Sequence, residues 1–184
     1  MIGTSSLNKI HKKGLFGDHQ KKDQNSLTII SEVKNLKIIQ IVHYRKSTLN
    51  ISSLSLDNLK FPDKAMQVNS NDKTRMLWNG PGNWIVVSKS KNILDVIVNQ
   101  HDKKNFAVTD LSHSRTIIEL QGINAKEILK KGCPINFNEF KLNNCANSVF
   151  HGITITLDMI SDNPETLRIF SLRSIGESFY HDIA

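Results

Sequence analysis

Arginine is scarce in this 184-residue chain. Arg45, Arg75, Arg115, Arg168 and Arg173 stand against nineteen lysines, for a net charge of +7. Proteins that read nucleic acid usually concentrate arginine, whose planar fork matches phosphates and guanine edges, and interleave aromatics that stack on bases. Aromatics are only 7% here and fall mostly in apolar, strand-like runs. The lysines accompany nineteen asparagines and twenty-two isoleucines, a bias expected of an AT-rich coding sequence as much as of any ligand. No nucleic-acid partner is expected. Long apolar runs are also missing, so no membrane span is expected. The first twenty residues mix Lys9, Lys12, Lys13 and Asp18 with isolated apolar residues. They offer no continuous hydrophobic region to a translocon, and a cytoplasmic location is expected.

Cysteine is limited to Cys133 and Cys145. Neither their number nor their spacing suits a zinc site, and a disulfide would be unusual in a cytosolic protein. Both are expected to be reduced thiols. The sequence has no GxGxxG, GxxxxGK[ST], GxSxG or HExxH motif, so phosphate-cradling loops, strained nucleophile elbows and zinc chemistry have no signal. Asp110, Ser112 and His113 match a triad by residue type. On an extended segment, however, three residues so close point to alternating faces and cannot converge on one proton. His11, His19, His43, His101, His113, His151 and His181 lack ligand spacing and are expected at the surface or in turns. No catalytic, cofactor-binding or metal-binding residue is assigned to this chain.

What is present fits one globular domain. The chain is 39% hydrophobic with a mean hydropathy of −0.30, and at this length roughly 70% of the extended surface leaves water on folding. Residues 1–25 carry five lysines against two aspartates and few apolar residues. They read as a polar, basic tail, mobile or ordered by a partner through Leu15 and Phe16. From Leu36 to Tyr44 a β-branched run of strand length begins the domain. The Ser47–Leu59 connection permits a short helix. Arg75–Trp78 and Trp84–Val87 flank Asn79-Gly80-Pro81-Gly82-Asn83, which should close a hairpin. Ile93, Leu94, Ile97 and Val98 then follow helical spacing.

A second round repeats that order. Phe106–Asp110 leads into Arg115–Leu120, and a short helix runs through Ile128 and Leu129 to Gly132 and Pro134, where a left-handed glycine would stop it. Ile153–Leu157 and Leu167–Phe170 form the next strand pair, turning at Ser161–Pro164. The last helix opens on Ser174 and Glu177 at capping-box spacing. The fold class is therefore α+β: two tandem βαββα-like units forming antiparallel sheets backed by helices. A single duplicated domain is expected over residues 26–184, with halves at about 36–100 and 115–183.

Three stretches together carry a resemblance. Leu77-Trp78-Asn79-Gly80-Pro81-Gly82-Asn83-Trp84 resembles a Trp-x-Gly-Pro-x-x-Trp hairpin. Val108 to Thr116, continuing through Gly122 to Lys131-Gly132-Cys133-Pro134, resembles a central segment. Arg173-Ser174 before Phe179-Tyr180 resembles a C-terminal end. In that order and spacing they resemble the gamma subunit family of heterotetrameric sarcosine oxidase, over about residues 27–184, which is similar in fold to the folate-binding aminomethyltransferase of glycine cleavage.

The resemblance implies a non-catalytic chain in a complex that oxidatively demethylates sarcosine to glycine. Formaldehyde or methylene-tetrahydrofolate and hydrogen peroxide would be the other products. FAD, FMN, NAD and tetrahydrofolate would belong to partner subunits, and the larger flavoprotein subunits, the alpha chain first among them, would be the partners. In aminomethyltransferases the strand after the central helix carries Gly-Gly-x-x-Asp-Asp. The matching stretch here, His151-Gly152-Ile153-Thr154-Ile155-Thr156, puts Ile155 and Thr156 at the acidic positions, and neither can serve as a carboxylate. Asp158 would share a face with Thr156 if the strand continues, as a displaced acid. A stand-alone folate- or amine-binding module is the alternative reading. Trp78, Trp84, Asp110, Arg115 and Arg173 are the candidate partner-contact residues. Each arginine starts an element beside a serine and could hold a carboxylate across an interface, or a solvated or intrachain partner.

Overall fold

The computed structural model describes residues 5–10, 14–16 and 27–184, with 14–16 described as backbone alone. The chain divides into two compact units, one formed by Met1–Lys34 with Ser114–Ala184 and the other by Asn35–His113.

The second unit, Asn35–His113, begins with β3 (Lys37–His43), where Ile39 and Ile41 alternate inward. A single 3₁₀ turn (Ile51–Ser53) follows, then a two-residue hairpin of β4 (Ser55–Leu56) and β5 (Leu59–Lys60). The short helix permitted over Ser47–Leu59 is thus replaced by tighter turns. Asn50 caps the 3₁₀ turn by accepting from the Ser52 amide at 3.0 Å, a local bond that competes with helix propagation. β6 (Val68–Ser70), β7 (Thr74–Gly80) and β8 (Asn83–Ser88) complete the run of strands before α1 (Ile93–Gln100), and β9 (Phe106–Asp110) ends the unit. Its five strands lie in the order β6-β7-β8-β3-β9, every neighbour antiparallel. One face carries Ile39, Ile41, Met76, Trp84 and Val86 into a core closed by Ile93 and Ile97 of α1.

The other unit is centred on a six-stranded antiparallel sheet, β1-β2-β10-β13-β12-β11. Its strands are β1 (Gly14–Phe16), β2 (Thr28–Glu32), β10 (Arg115–Gln121), β11 (Cys145–Phe150), β12 (Ile153–Asp162) and β13 (Glu165–Leu172). The helices α2 (Ala125–Lys130) and α3 (Gly176–Ile183) supply Leu129, Phe179 and Ile183 to a core with Ile118, Leu120, Leu157 and Ile169. Deleting a buried leucine or phenylalanine of this kind typically costs about 2–5 kcal/mol.

Part of the expected tail lies outside the described residues. What is described belongs to this unit: Leu7 has no solvent exposure and sits in the core, and Leu15 and Phe16 pair in backbone register with Ile29 and Thr28. Sparse apolar content over 25 residues concealed one fully buried leucine and one strand-forming triplet.

Two local expectations are corrected. Ser174 lies in a 3₁₀ turn (Arg173–Ile175) and α3 begins one residue later with no side-chain cap, so the Ser174–Glu177 capping box does not form. Gly132 is not left-handed. It is glycine because a Cβ there would approach Phe150 Cδ2 and His151 Cδ2 to 2.8 Å, a distance no side chain tolerates. β11 (Cys145–Phe150) begins inside the polar Asn143–Asn147 stretch, whose asparagines obscured it in the sequence. Among the described residues, no helix is long and apolar enough to cross a membrane.

Candidate functional site

The Trp78-Asn79-Gly80-Pro81-Gly82-Asn83-Trp84 hairpin joins β7 to β8 and sets Trp78 directly opposite Trp84. Gly82 turns the chain at a φ of 64°, a conformation that glycine adopts without a Cβ penalty, and its carbonyl accepts from the His43 amide at 2.8 Å. Trp84 is only 4% exposed. Its Nε1–H donates to the Pro62 carbonyl at 2.8 Å, and Phe61 meets its ring edge-on at 4.9 Å. Phe61 continues to His101 at 5.6 Å, His101 to Phe106 at 5.2 Å, and Phe106 to His43 at 5.1 Å. The hairpin is therefore anchored by a chain of aromatic contacts.

A cleft of about 520 Å³ opens beside this chain, with His43, Phe61, Pro62 and Trp84 at its apolar wall and Lys60, Asp63, Gln67 and Asn69 around it. The Pro62 and Asn69 segments are tied together. Gln67 Oε1 accepts from the amides of Asp63 and Lys64, Gln67 Nε2 donates to Asn69 Oδ1, and Asn69 Nδ2 donates to the Lys60 carbonyl. His43 Nε2 is buried and has no hydrogen-bond partner among the described residues. The cleft has the size and mixed lining of a small-molecule site. His101, expected at a surface or turn, is buried, and its Nδ1 lies 3.0 Å from the Ile97 carbonyl. That nitrogen carries the proton, because a carbonyl can only accept.

Asp110, Ser112 and His113 form no catalytic relay. Ser112 Oγ donates to Asp110 Oδ1 at 2.5 Å and accepts from the Ile38 amide at 3.0 Å, so its proton is directed at the carboxylate and away from any base. The Ser112 amide adds a second bond to the same oxygen at 2.9 Å, and Lys37 Nζ stands 3.7 Å from Oδ2. Partial burial pushes the Asp110 pKa up, but the Ser112 bonds with the Lys37 and His113 charges outweigh it and hold the carboxyl below its ordinary value. Asp110 is spent on closing its own turn.

In the other unit, Arg115 and Arg173 meet at one corner. Arg115 pairs in register with Leu172, and the Arg173 amide donates to the Ser114 carbonyl at 2.9 Å. Arg115 Nη1 lies 3.1 Å from Ser114 Oγ, and burial lowers its guanidinium below the ordinary value. Leu172, between the two arginines, is 45% exposed. Of the five candidate contact residues, this corner joins Arg115 to Arg173. Trp78 lies half-buried beside its partner tryptophan, and Trp84 is buried in the core of its unit.

β12 does continue through Asp158, which shares the face of Thr156, opposite Arg168. Asp158 has no solvent exposure, and Arg168 Nη2 bonds Glu119 Oε2 at 3.1 Å on the neighbouring strand. Ile155 points the other way into the core, and Thr156 Oγ1 donates to Asn147 Oδ1 at 2.8 Å. The Glu119–Arg168 pair is part-buried, and no sequence motif announces it, because the two residues lie 49 apart and meet only through strand pairing. Among the described residues, no group of three or more histidine, cysteine, aspartate or glutamate side chains is placed to hold a metal ion. Cys133 and Cys145 are both buried. Burial pushes the Cys133 thiol up to about 11, against a smaller opposing effect of its Ser148 hydrogen bond.

No protein-family model matches the chain, and no curated protein matches it in sequence. Its fold is shared by solved structures that include the following two. A chain of heterotetrameric sarcosine oxidase from Corynebacterium sp. U-96, solved in complex with pyrrole 2-carboxylate, superposes with a TM-score of 0.78 at 21% identity, covering 88% of this chain and 84% of that one. Glycine cleavage system aminomethyltransferase T from Bartonella henselae superposes with a TM-score of 0.59 at 9% identity over 84% of this chain. The present chain spans 44% of that protein. The sheet-dominated, antiparallel architecture derived from the sequence is thus the aminomethyltransferase-like fold of these two structures.

Proposed function

We propose that this chain is the gamma-type subunit of a heterotetrameric sarcosine oxidase, a structural component that docks on a larger flavoprotein chain and supplies no reacting group. The observation that carries this reading is the superposition on a chain of such an oxidase over nearly the full length of both. The disposition of the carboxylates supports it. Asp110 is consumed in its turn, and Asp158 has no exposed surface and lies opposite an arginine, so neither is presented to an amine. FAD, FMN, NAD and tetrahydrofolate are assigned to the partner chains, and the complex to the cytoplasm, where it would convert sarcosine to glycine. Leu172, 45% exposed at the corner where Arg115 and Arg173 adjoin in the backbone, offers an apolar contact suited to an interface.

Co-expression with the large flavoprotein chain, followed by gel filtration, tests the proposal. The two chains are expected to elute together as a stable complex. Separate elution of two folded chains would contradict it.

One observation favours a second reading as a folate- or amine-binding module. The 520 Å³ cleft places Trp84 in its wall, so a reduced folate bound there would quench tryptophan fluorescence. Titration to high micromolar ligand without a change would remove this reading.

A further inference from the structure

The second unit, Asn35–His113, carries 11 lysines and arginines against 6 aspartates and glutamates, +5 of the chain's net +7. Three of those cations line one groove, and a fourth, Lys103, is the sequence neighbour of one of them. Arg45 and Lys46 lie in the loop after β3, Lys103 and Lys104 in the loop before β9, and all four are exposed. A groove of about 530 Å³ runs between the loops, lined by Tyr44, Arg45, Lys46, Thr48, Lys104 and Asn105.

The groove is built by specific bonds. The Tyr44 amide donates to the Asn105 carbonyl at 2.9 Å, Ser47 Oγ donates to Asn105 Oδ1 at 2.6 Å, and the Ser47 amide closes a turn onto the Tyr44 carbonyl at 3.0 Å. These ties hold the two loops in one arrangement before any ligand arrives, which lowers the ordering cost of binding. Asp102, the nearby carboxylate in sequence, accepts from the Lys104 amide at 2.9 Å and is committed to its own turn. No ion pair or hydrogen bond engages the side chains of Arg45, Lys46, Lys103 or Lys104 among the described residues. Tyr44, at 42% exposure, adds apolar surface.

We infer that this groove docks an acidic, extended segment of a partner polypeptide, whose carboxylates meet Arg45, Lys46 and Lys104, with Lys103 following at the groove's end, while an apolar side chain covers Tyr44. The inference deepens the docking reading above and rests on it. Charge complementarity selects the occupant. Like charges lining one groove repel one another unless an anionic partner neutralises them. Nucleic acid fits less well, because only one cation is arginine and Tyr44 is the one aromatic in the lining, where base stacking ordinarily uses several.

The test uses the full chain and, as probe, an unlabelled peptide of eight glutamates with one central leucine, titrated calorimetrically at low and physiological salt. The expected result is saturable binding that weakens with salt. Binding should fall about tenfold or more in the variant Arg45→Ala/Lys46→Ala/Lys103→Ala/Lys104→Ala. It should hold within about twofold in a control losing four other exposed lysines of the same unit, Lys64→Ala/Lys73→Ala/Lys89→Ala/Lys91→Ala. Equal losses in the two variants, no binding, or tighter binding of an eight-nucleotide oligothymidine through the same four residues would overturn the inference. Co-elution separates it from the reading beneath it. If the groove variant assembles with the large flavoprotein chain as well as the unaltered protein does, the groove inference fails and the docking reading stands. If the unaltered protein fails to assemble while the peptide binds the groove, the docking reading alone fails.

Discussion

Trp84 and Pro62 are joined by an indole Nε1–H donating to a carbonyl at 2.8 Å, which locks the hairpin onto the segment that leads from β5 to β6. A pair of tryptophans flanking a Gly-Pro-Gly turn suggests an exposed, partner-seeking tip. The bond shows instead that one of the two is an internal fastener. Trp84→Phe keeps most of the apolar area but leaves the Pro62 carbonyl without that donor, and should cost about 1–3 kcal/mol. The shift in urea midpoint at unchanged slope measures it. A midpoint within error of the unaltered protein would show that the bond contributes nothing.

Arg168 should be the least replaceable arginine in the chain. Arg168→Met removes the cation that lies opposite fully buried Asp158 and bonds Glu119, and leaving a part-buried polar partner unsatisfied typically costs about 1–3 kcal/mol. The double variant Arg168→Met/Asp158→Leu should recover a large part of that loss, since no uncompensated charge remains at the Asp158 position. Denaturant melts of the single and double variants decide it, and equal stability of the two would show that Asp158 is not what the arginine neutralises.

Gly132→Ala should destabilise the protein through overpacking, by about 1–3 kcal/mol, because the added methyl meets the Phe150 ring. Backbone strain makes the opposite prediction about rescue. Trimming Phe150→Leu in the alanine background should restore part of the loss if the conflict is steric. Thermal melts of the two variants give the comparison, and a deeper loss on trimming would contradict the packing account.

Cys133 should resist alkylation. With its thiol pushed up to about 11, the reactive thiolate is a small minority at pH 8, and iodoacetamide should label it only after unfolding. The same displacement sets a pH dependence. The folded thiol is protonated at pH values where an unfolded one, titrating near 9, has already ionised, so its contribution to stability is full below pH 9 and is lost as pH rises towards 11. Mass spectrometry of native labelling at pH 8 checks the first statement, and denaturant melts of the unaltered protein and Cys133→Ala from pH 8 to 11 check the second. Rapid stoichiometric modification of the folded chain would contradict both.

Much of the architecture was legible because it follows from local rules. The β-branched run read over Leu36–Tyr44, which forms a strand over Lys37–His43, the Gly-Pro-Gly reversal and the helical spacing of Ile93 and Ile97 each follow from local sequence. The failures share a cause in distant partners. Ser174 and Glu177 have capping spacing, but the chain leaving β13 enters a 3₁₀ turn first. Leu7 looked like an isolated apolar residue until the core of its unit enclosed it. The candidate site divides in the same way. The hairpin that pairs Trp78 with Trp84 was readable from its turn, whereas the cleft, the Glu119–Arg168 pair and the cationic groove depend on strand pairing or loop bonding between segments separated by tens of residues.

Flavin-coupled peroxide release shows most directly where the oxidative chemistry resides. The chain purified alone should show no flavin absorbance and release no hydrogen peroxide from sarcosine, whereas the complex assembled with its large flavoprotein chain should do both. Peroxide released from sarcosine by this chain alone, at a rate comparable to the complex, would contradict the proposal that it is a structural partner.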